Sequence, residues 1–151
     1  MKIIEFFSSA DKMRWLDEIR KSDWRAAEFL VQLIAENRVE ATLGKGTKLF
    51  ILADGDKAAA FLTLSEKDCV DDPTLYPWIG FVYTYPEYRG NRYSGLLIEH
   101  AADEARRQNK KVLYICTDEI GLYEKYGFEY IESRVDIYDE MSRVYCRRIK
   151  E

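Results

Sequence analysis

Histidine occurs once and cysteine three times in the 151 residues, and no apolar run approaches the length of a bilayer span. The single imidazole, His100, removes most histidine-based metal sites and nucleophilic triads, which need that ring as ligand or base. Cys69, Cys116 and Cys146 are far apart and odd in number. They make neither a metal-binding spacing nor a disulfide framework, and they point to a reducing compartment. The opening MKIIEFFSSADK has too short an apolar stretch for a signal peptide and no small-residue cleavage site. Repeats, low-complexity tracts and long linkers are missing too. What is present is 47% apolar and 33% charged residues, enough for one soluble globular domain over 1–151 with a real core. The net charge of −4 argues against general nucleic-acid binding and mildly favours cationic partners. A cytoplasmic monomer or homodimer that binds neither nucleic acid nor membrane is the expectation.

The hydrophobic pattern predicts an α/β (α+β) chain. KIIEFF suits a short first strand, and Ser8 to Asp11 resembles a capping box opening a helix over about 10–20. Asp23 is positioned to cap a second helix, through WRAAEFLVQLIAEN. LFILAD and KAAAFLTLS flank Asp54-Gly55-Asp56 and read as a hairpin. EKDCVDDPT reads as an acidic loop, and WIGFVYTY as a largely buried strand. Tyr93, Leu96, Leu97, Ala101 and Ala105 then mark one helix face, and KKVLYIC follows as a strand, completing a parallel β-α-β crossover. A short helix at EIGLYEKY stops at Gly127, before an antiparallel pair turning near Asp139-Glu140. The sum is a mixed, mostly antiparallel sheet of about six to seven strands flanked by about four helices.

The stretch PEYRGNRYSGLL places an Arg-Gly turn between the aromatic strand and the crossover helix. A loop entering a helix leaves backbone N–H groups unpartnered, and the helix dipole adds positive character there. Phosphates bind such ends. Gly90 would let the backbone approach a pyrophosphate, with charge added by Arg89 and Arg92. The plain alternative is a structural turn with two solvated arginines. No Gly-Lys-Ser/Thr follows, which argues against a nucleoside-triphosphate P-loop.

Two segments in order, YPEYRGNRYS over 85–94 and CTDEIGLYEKYGF over 116–128, resemble the GNAT superfamily of N-acetyltransferases. The resemblance covers roughly 47–130 well and the ends by architecture. In that family a strand ends before a Pro-x-x, then Arg/Gln-x-x-Gly-x-Gly/Ala opens a helix, and Asn-x-x-Ala-x-x-Leu-Tyr-x-x-x-Gly-Phe comes later. Here Arg92 stands at a usual glycine, Ser94 at a Gly/Ala position, and Cys116 at the asparagine that often contacts the pantetheine arm.

The resemblance implies acetyl-CoA as co-substrate, no metal, and direct attack by a primary amine. It implies that the backbone of Val82 and Thr84 bonds the pantetheine arm. A strand amide near Phe81 or Val82 would stabilise the oxyanion, a donor worth about 3–4 kcal/mol. Amides from Asn91 through Arg92, Tyr93 and Ser94 to Gly95, beside Arg89 and Gly90, would hold the pyrophosphate, and Cys116 would stand along the arm. Tyr123 is the implied general acid, since a phenol of pKa about 10 stays protonated at pH 7. Glu66, Asp68, Asp71 and Asp72 are candidate bases or simply a solvated acidic loop. Cys116 is expected as a small buried apolar residue and His100 as a boundary residue. Trp24, Glu28, Tyr76, Trp78 and the Asp139–Met141 turn are candidate acceptor contacts. The alternative function is a non-catalytic acyl-CoA sensor or interaction module of the same shape.

Overall fold

The computed structural model describes residues 1–150. In chain order it contains β1 (Lys2–Glu5), α1 (Lys12–Arg20), α2 (Arg25–Ala35), α3 (Val39–Leu43), β2 (Lys48–Asp54), β3 (Lys57–Ser65) and β4 (Trp78–Thr84). Then come α4 (Tyr93–Arg107), β5 (Val112–Thr117), β6 (Glu129–Val135) and β7 (Met141–Arg148). The strands form one seven-stranded sheet in the order β1-β2-β3-β4-β5-β7-β6. Every neighbouring pair is antiparallel except β4 and β5, which α4 connects as the crossover. The expected architecture is therefore the observed one.

β2 reads LFILA without a polar break because it is covered on both faces. Phe50 and Leu52 pack under α4 with Leu62, Leu64, Ile79, Leu113 and Ile115. Leu49 and Ile51 point the other way, against Trp15, Ile19, Leu30 and Leu33 of α1 and α2. The pleat sends alternate residues to opposite layers, so one strand serves two cores.

Two local expectations fail for tertiary reasons. No capping box forms at Ser8–Asp11. Instead Phe6–Ser8 make a 3₁₀ turn whose Phe7 and Ser8 amides donate to the Glu5 carboxylate at 3.1 and 3.0 Å, and Asp11 makes no side-chain cap bond. Glu5 also accepts from the Leu49 amide at 3.0 Å, so this carboxylate ties the turn to β2. Asp23 does not cap α2 either. Trp24 holds that position, and Asp23 sits at φ 46° in the connection. The segment at EIGLYEKY is a 3₁₀ turn, Tyr123–Tyr126, ended by Gly127 at φ 88°.

α1 is bolted to the sheet by buried polar bonds. Glu18, 8% exposed, accepts from the Ala58 amide at 2.9 Å, and its backbone carbonyl accepts from the Tyr85 hydroxyl at 2.6 Å. The Tyr83 hydroxyl donates to the Ser22 carbonyl at 2.6 Å. These bonds hold the β4 end against the helical layer, and β4 forms one wall of the site. Replacing Glu18 by alanine strands the buried Ala58 N–H. Chemical denaturation is expected to show a loss of about 1–3 kcal/mol, and an unchanged midpoint would show that this bond contributes nothing.

Candidate active site

β4 and β5 are paired at their beginnings and then part. The parallel register holds for Trp78 with Tyr114 and Ile79 with Ile115, and no further. A bulge in β4 accompanies the parting: Phe81 and Val82 together oppose Leu62 of β3, between the Thr63–Gly80 and Phe61–Tyr83 pairs. Phe81 takes φ 49°, which a non-glycine residue adopts at some cost and which bulges accommodate. A cavity of about 640 Å³ opens between the splayed strands. Phe81, Val82, Thr84, Arg89, Cys116 and Tyr123 all line it, as five of the expected cofactor contacts and the expected acid.

The remaining expected contacts lie outside that wall, in the turn leading into α4, and Arg92 and Gly95 line a second cavity with Tyr126 and Cys146. Gly90, at φ 88°, and Arg92, at φ 58° and ψ 33°, bend the chain into α4, with Arg92 as N-cap. A glycine adopts the left-handed region freely and an arginine costs about 1 kcal/mol more, which is the physical content of the Arg-for-Gly departure. The first bond of the helix runs from the Leu96 amide to the Arg92 carbonyl at 3.3 Å. Among the described residues, the amides from Gly90 through Gly95 have no hydrogen-bond partner. Side chains brace the turn from behind. Asn91 donates to the Tyr88 carbonyl at 3.0 Å, and the Tyr88 hydroxyl donates to Asp54 at 2.8 Å. Arg89 donates through Nε to the Thr84 carbonyl at 2.9 Å, so that carbonyl is already engaged. Gly95 has a second constraint: a Cβ there would lie 2.6 Å from the Tyr126 ring, so this glycine lets the Tyr123–Tyr126 turn pack against α4.

Tyr123 is 8% exposed and packs edge-on against Phe128 at 6.2 Å. Its hydroxyl has no hydrogen-bond partner among the described residues, and burial, with Glu119 nearby, pushes its pKa up to about 12. It therefore carries its proton across the physiological range.

Asp68 is the residue that the sequence did not single out. It is not part of a solvated acidic loop: it is half-buried and lines the same cavity as Tyr123. Its carboxylate lies over Gly80, 3.3 Å from where a Cβ would stand, with the Thr63 hydroxyl 3.1 Å from the same point. That Thr63 oxygen is buried and has no partner among the described residues. Burial raises the Asp68 pKa from 3.8 to about 7, against the opposing pull of the Cys69 backbone N–H. Gly80 was the one available signal, since a glycine inside a strand marks a close approach.

The other acidic candidates differ. Asp72 is held down to about 2 by Thr74 and by Arg134, whose guanidinium lies 2.6 Å away. Glu66 and Asp71 are exposed and line a neighbouring groove, along with Tyr76. Trp24 does reach the main cavity, stacked on Tyr83 at 5.3 Å. Trp78 does not, being fully buried in the core, and Glu28 faces outward. From the last hairpin it is Tyr138, beside the expected Asp139–Met141 turn, that enters the cavity wall. Cys116 is half-buried in that wall rather than sealed in the core. His100 is a boundary residue, edge-on to Phe50 at 4.7 Å. No described helix is long and apolar enough to cross a membrane.

A protein-family model described as the acetyltransferase (GNAT) family matches residues 10–128. The fold agrees with solved structures across nearly the whole chain. The aminoglycoside 6'-N-acetyltransferase from Enterococcus faecium superposes with a TM-score of 0.73 at 13% identity, covering 100% of this chain and 98% of that one. An aminoglycoside 6'-N-acetyltransferase complexed with coenzyme A gives 0.71 at 12% identity, over 100% and 98%. An acetyltransferase from Streptococcus agalactiae gives 0.68 at 21% identity, over 97% of each chain. No curated protein matches in a sequence search. The chain belongs to the acetyltransferase (GNAT) family, a family of N-acetyltransferases.

Proposed function

We propose that this single domain transfers an acetyl group from acetyl-CoA to a primary amine of a small molecule or peptide by direct attack. The observation that carries this reading is the run of unpartnered amides from Gly90 to Gly95, in the turn that leads from Arg89 of the cleft wall into α4, with Tyr123 lining the same cleft. Backbone donors at a helix start suit a diphosphate. Arg92 adds positive charge beside them, and its departure from glycine leaves the amides free.

When bound, acetyl-CoA supplies an electrophilic thioester carbonyl and a thiolate leaving group. The chain's own groups then divide the work. Beyond Ile79 the backbone of β4 facing β5 has no strand partner, and the amides near the bulge at Phe81 and Val82 are the candidate donors to the cleft. Such donors stabilise negative charge developing on a carbonyl oxygen. Asp68 holds a carboxylate over Gly80, where a cationic amine finds its counter-charge and gives up a proton. Tyr123 keeps a proton on its hydroxyl for a departing thiolate. Trp24 and Tyr138 flank the acceptor side. The solved relatives named for aminoglycoside acetylation fit an amine acceptor, as does the net charge of −4.

The test is a thermal shift with acetyl-CoA followed by thiol release on a panel of amines. The expected result is a rise in melting temperature and acceptor-dependent release of free CoA thiol. Binding without release on any amine would favour the sensor reading, and no shift at all would remove the diphosphate site.

A further inference from the structure

Cys69 and Cys116 come from distant parts of the chain, the loop between β3 and β4 and the far end of β5, yet they meet in the cleft. Both are half-buried and both line the cavity that contains Tyr123 and Asp68. Both pack against the same buried trio, Val70, Trp78 and Val144. The two thiols share that wall, and each influences the protonation of the other. Cys146 is elsewhere, in a second cavity beside Arg92 and Gly95.

We propose that Cys69 and Cys116 form a reversible dithiol–disulfide site that shuts the acceptor end of the cleft under oxidising conditions. The inference rests, for its effect on turnover, on the acetyl-transfer reading, whereas the bond itself does not. Two thiols lining one open cleft and packed on the same buried trio are placed for the exchange of a disulfide between them. Within the pair, the Cys69 S–H supports a thiolate on Cys116, lowering the Cys116 pKa and raising that of Cys69. β5 has no parallel partner at Cys116, so that side of the residue is open to the cleft, and Cys116 is assigned as the attacking sulfur and Cys69 as the resolving one.

The oxidant is a low-molecular-weight disulfide. The Cys116 thiolate attacks one of its sulfurs, forming a mixed disulfide and expelling one thiolate. The Cys69 sulfur, after losing its proton, attacks Cys116 and expels the second thiolate. Two S–H bonds are lost, one S–S bond is gained in the protein, and the oxidant leaves as two thiols. The new bond ties the loop bearing Asp68 to β5, across the space between the splayed strands. It also fixes the neighbouring hairpin, because the Ile137 amide already donates to the Cys69 carbonyl at 2.7 Å. Asp68, adjacent in sequence, loses its freedom to meet an incoming amine. A disulfide of this kind inside a reducing compartment acts as a sensor rather than a staple.

The experiment uses the full chain, reduced, incubated with glutathione disulfide and freed of it. Non-reducing peptide mapping is expected to find Cys69 joined to Cys116 and Cys146 free. Acceptor-dependent thiol release falls at least about tenfold, as misplacement of a reacting group by an ångström or so can cost more than that, and dithiothreitol restores it. Cys69→Ser forms no internal bridge and instead traps glutathione on Cys116, while Cys146→Ser behaves as the parent. Failure of the bridge to form in the parent, or a bridge that leaves turnover unchanged, overturns the proposal. Should the reduced protein acetylate no amine, the acetyl-transfer reading fails. The mapped bridge, with its effect on the acetyl-CoA thermal shift, then decides this proposal alone.

Discussion

Tyr123→Phe is expected to lower kcat by about a hundredfold and leave acetyl-CoA affinity within about twofold of the parent, as loss of a general acid should. The substitution is clean for structural reasons. The ring that packs against Phe128 is retained, and the hydroxyl that is lost has no protein partner among the described residues, so no buried group is orphaned. Stability should hold within about 0.5 kcal/mol. Because the phenol pKa is pushed up to about 12, the parent should show no basic limb from this group below that pH. A kcat equal to the parent's would take Tyr123 out of the mechanism and leave it as a wedge between turn and sheet.

Asp68→Asn should have a comparable effect with a different pH signature. A base with pKa about 7 makes kcat/KM rise as pH passes through that value. Asparagine should flatten this limb and lower the rate at pH 8 by about a hundredfold, leaving any limb that belongs to the acceptor ammonium itself. The stability effect has the opposite direction. The folded pKa lies above the reference value of 3.8, so the folded state gains from the neutral acid. That gain is complete below 3.8 and lost as pH climbs through about 7. An asparagine cannot ionise and avoids the loss. The variant should therefore be more stable than the parent at pH 8, by roughly 1–3 kcal/mol, and closer to it at pH 5. A parent profile without this limb, or a variant that keeps it, would show that the carboxylate is a bystander. Higher stability with lower activity is the expected mark of a buried charge kept for function.

The sequence made the proposed cofactor side of the cleft legible and the proposed acceptor side hardly at all. Arg89 through Gly95 are contiguous, and a turn entering a helix presents its amides whatever surrounds it. Tyr123 was found because it stands in a short frame closed by Gly127 and Phe128. Asp68 was weighed equally with three other acids in one loop, and they separate only once folded. Asp72 meets Arg134, whereas Asp68 is folded inward over Gly80. Trp78 and Trp24 were likewise indistinguishable as aromatic candidates. The first is core and the second lines the cavity, a difference set by which face of the sheet or helix each occupies. Cys116 was read as a buried apolar residue from its strand context, but β5 has no parallel partner at that point, so one side of it is open.

By itself the sequence determined the elements, the crossover and the turn that opens α4. Each of these depends on periodicity, turn chemistry or contiguous backbone, all encoded within a few residues of one another. Tertiary structure alone decided that β7 inserts between β5 and β6, that β4 leaves β5 after Ile79, and that Asp68, Cys69, Cys116 and Tyr138 share one cavity. Those outcomes depend on contacts between segments far apart in the chain, and on burial that alters a carboxyl or a thiol without altering its letter in the sequence.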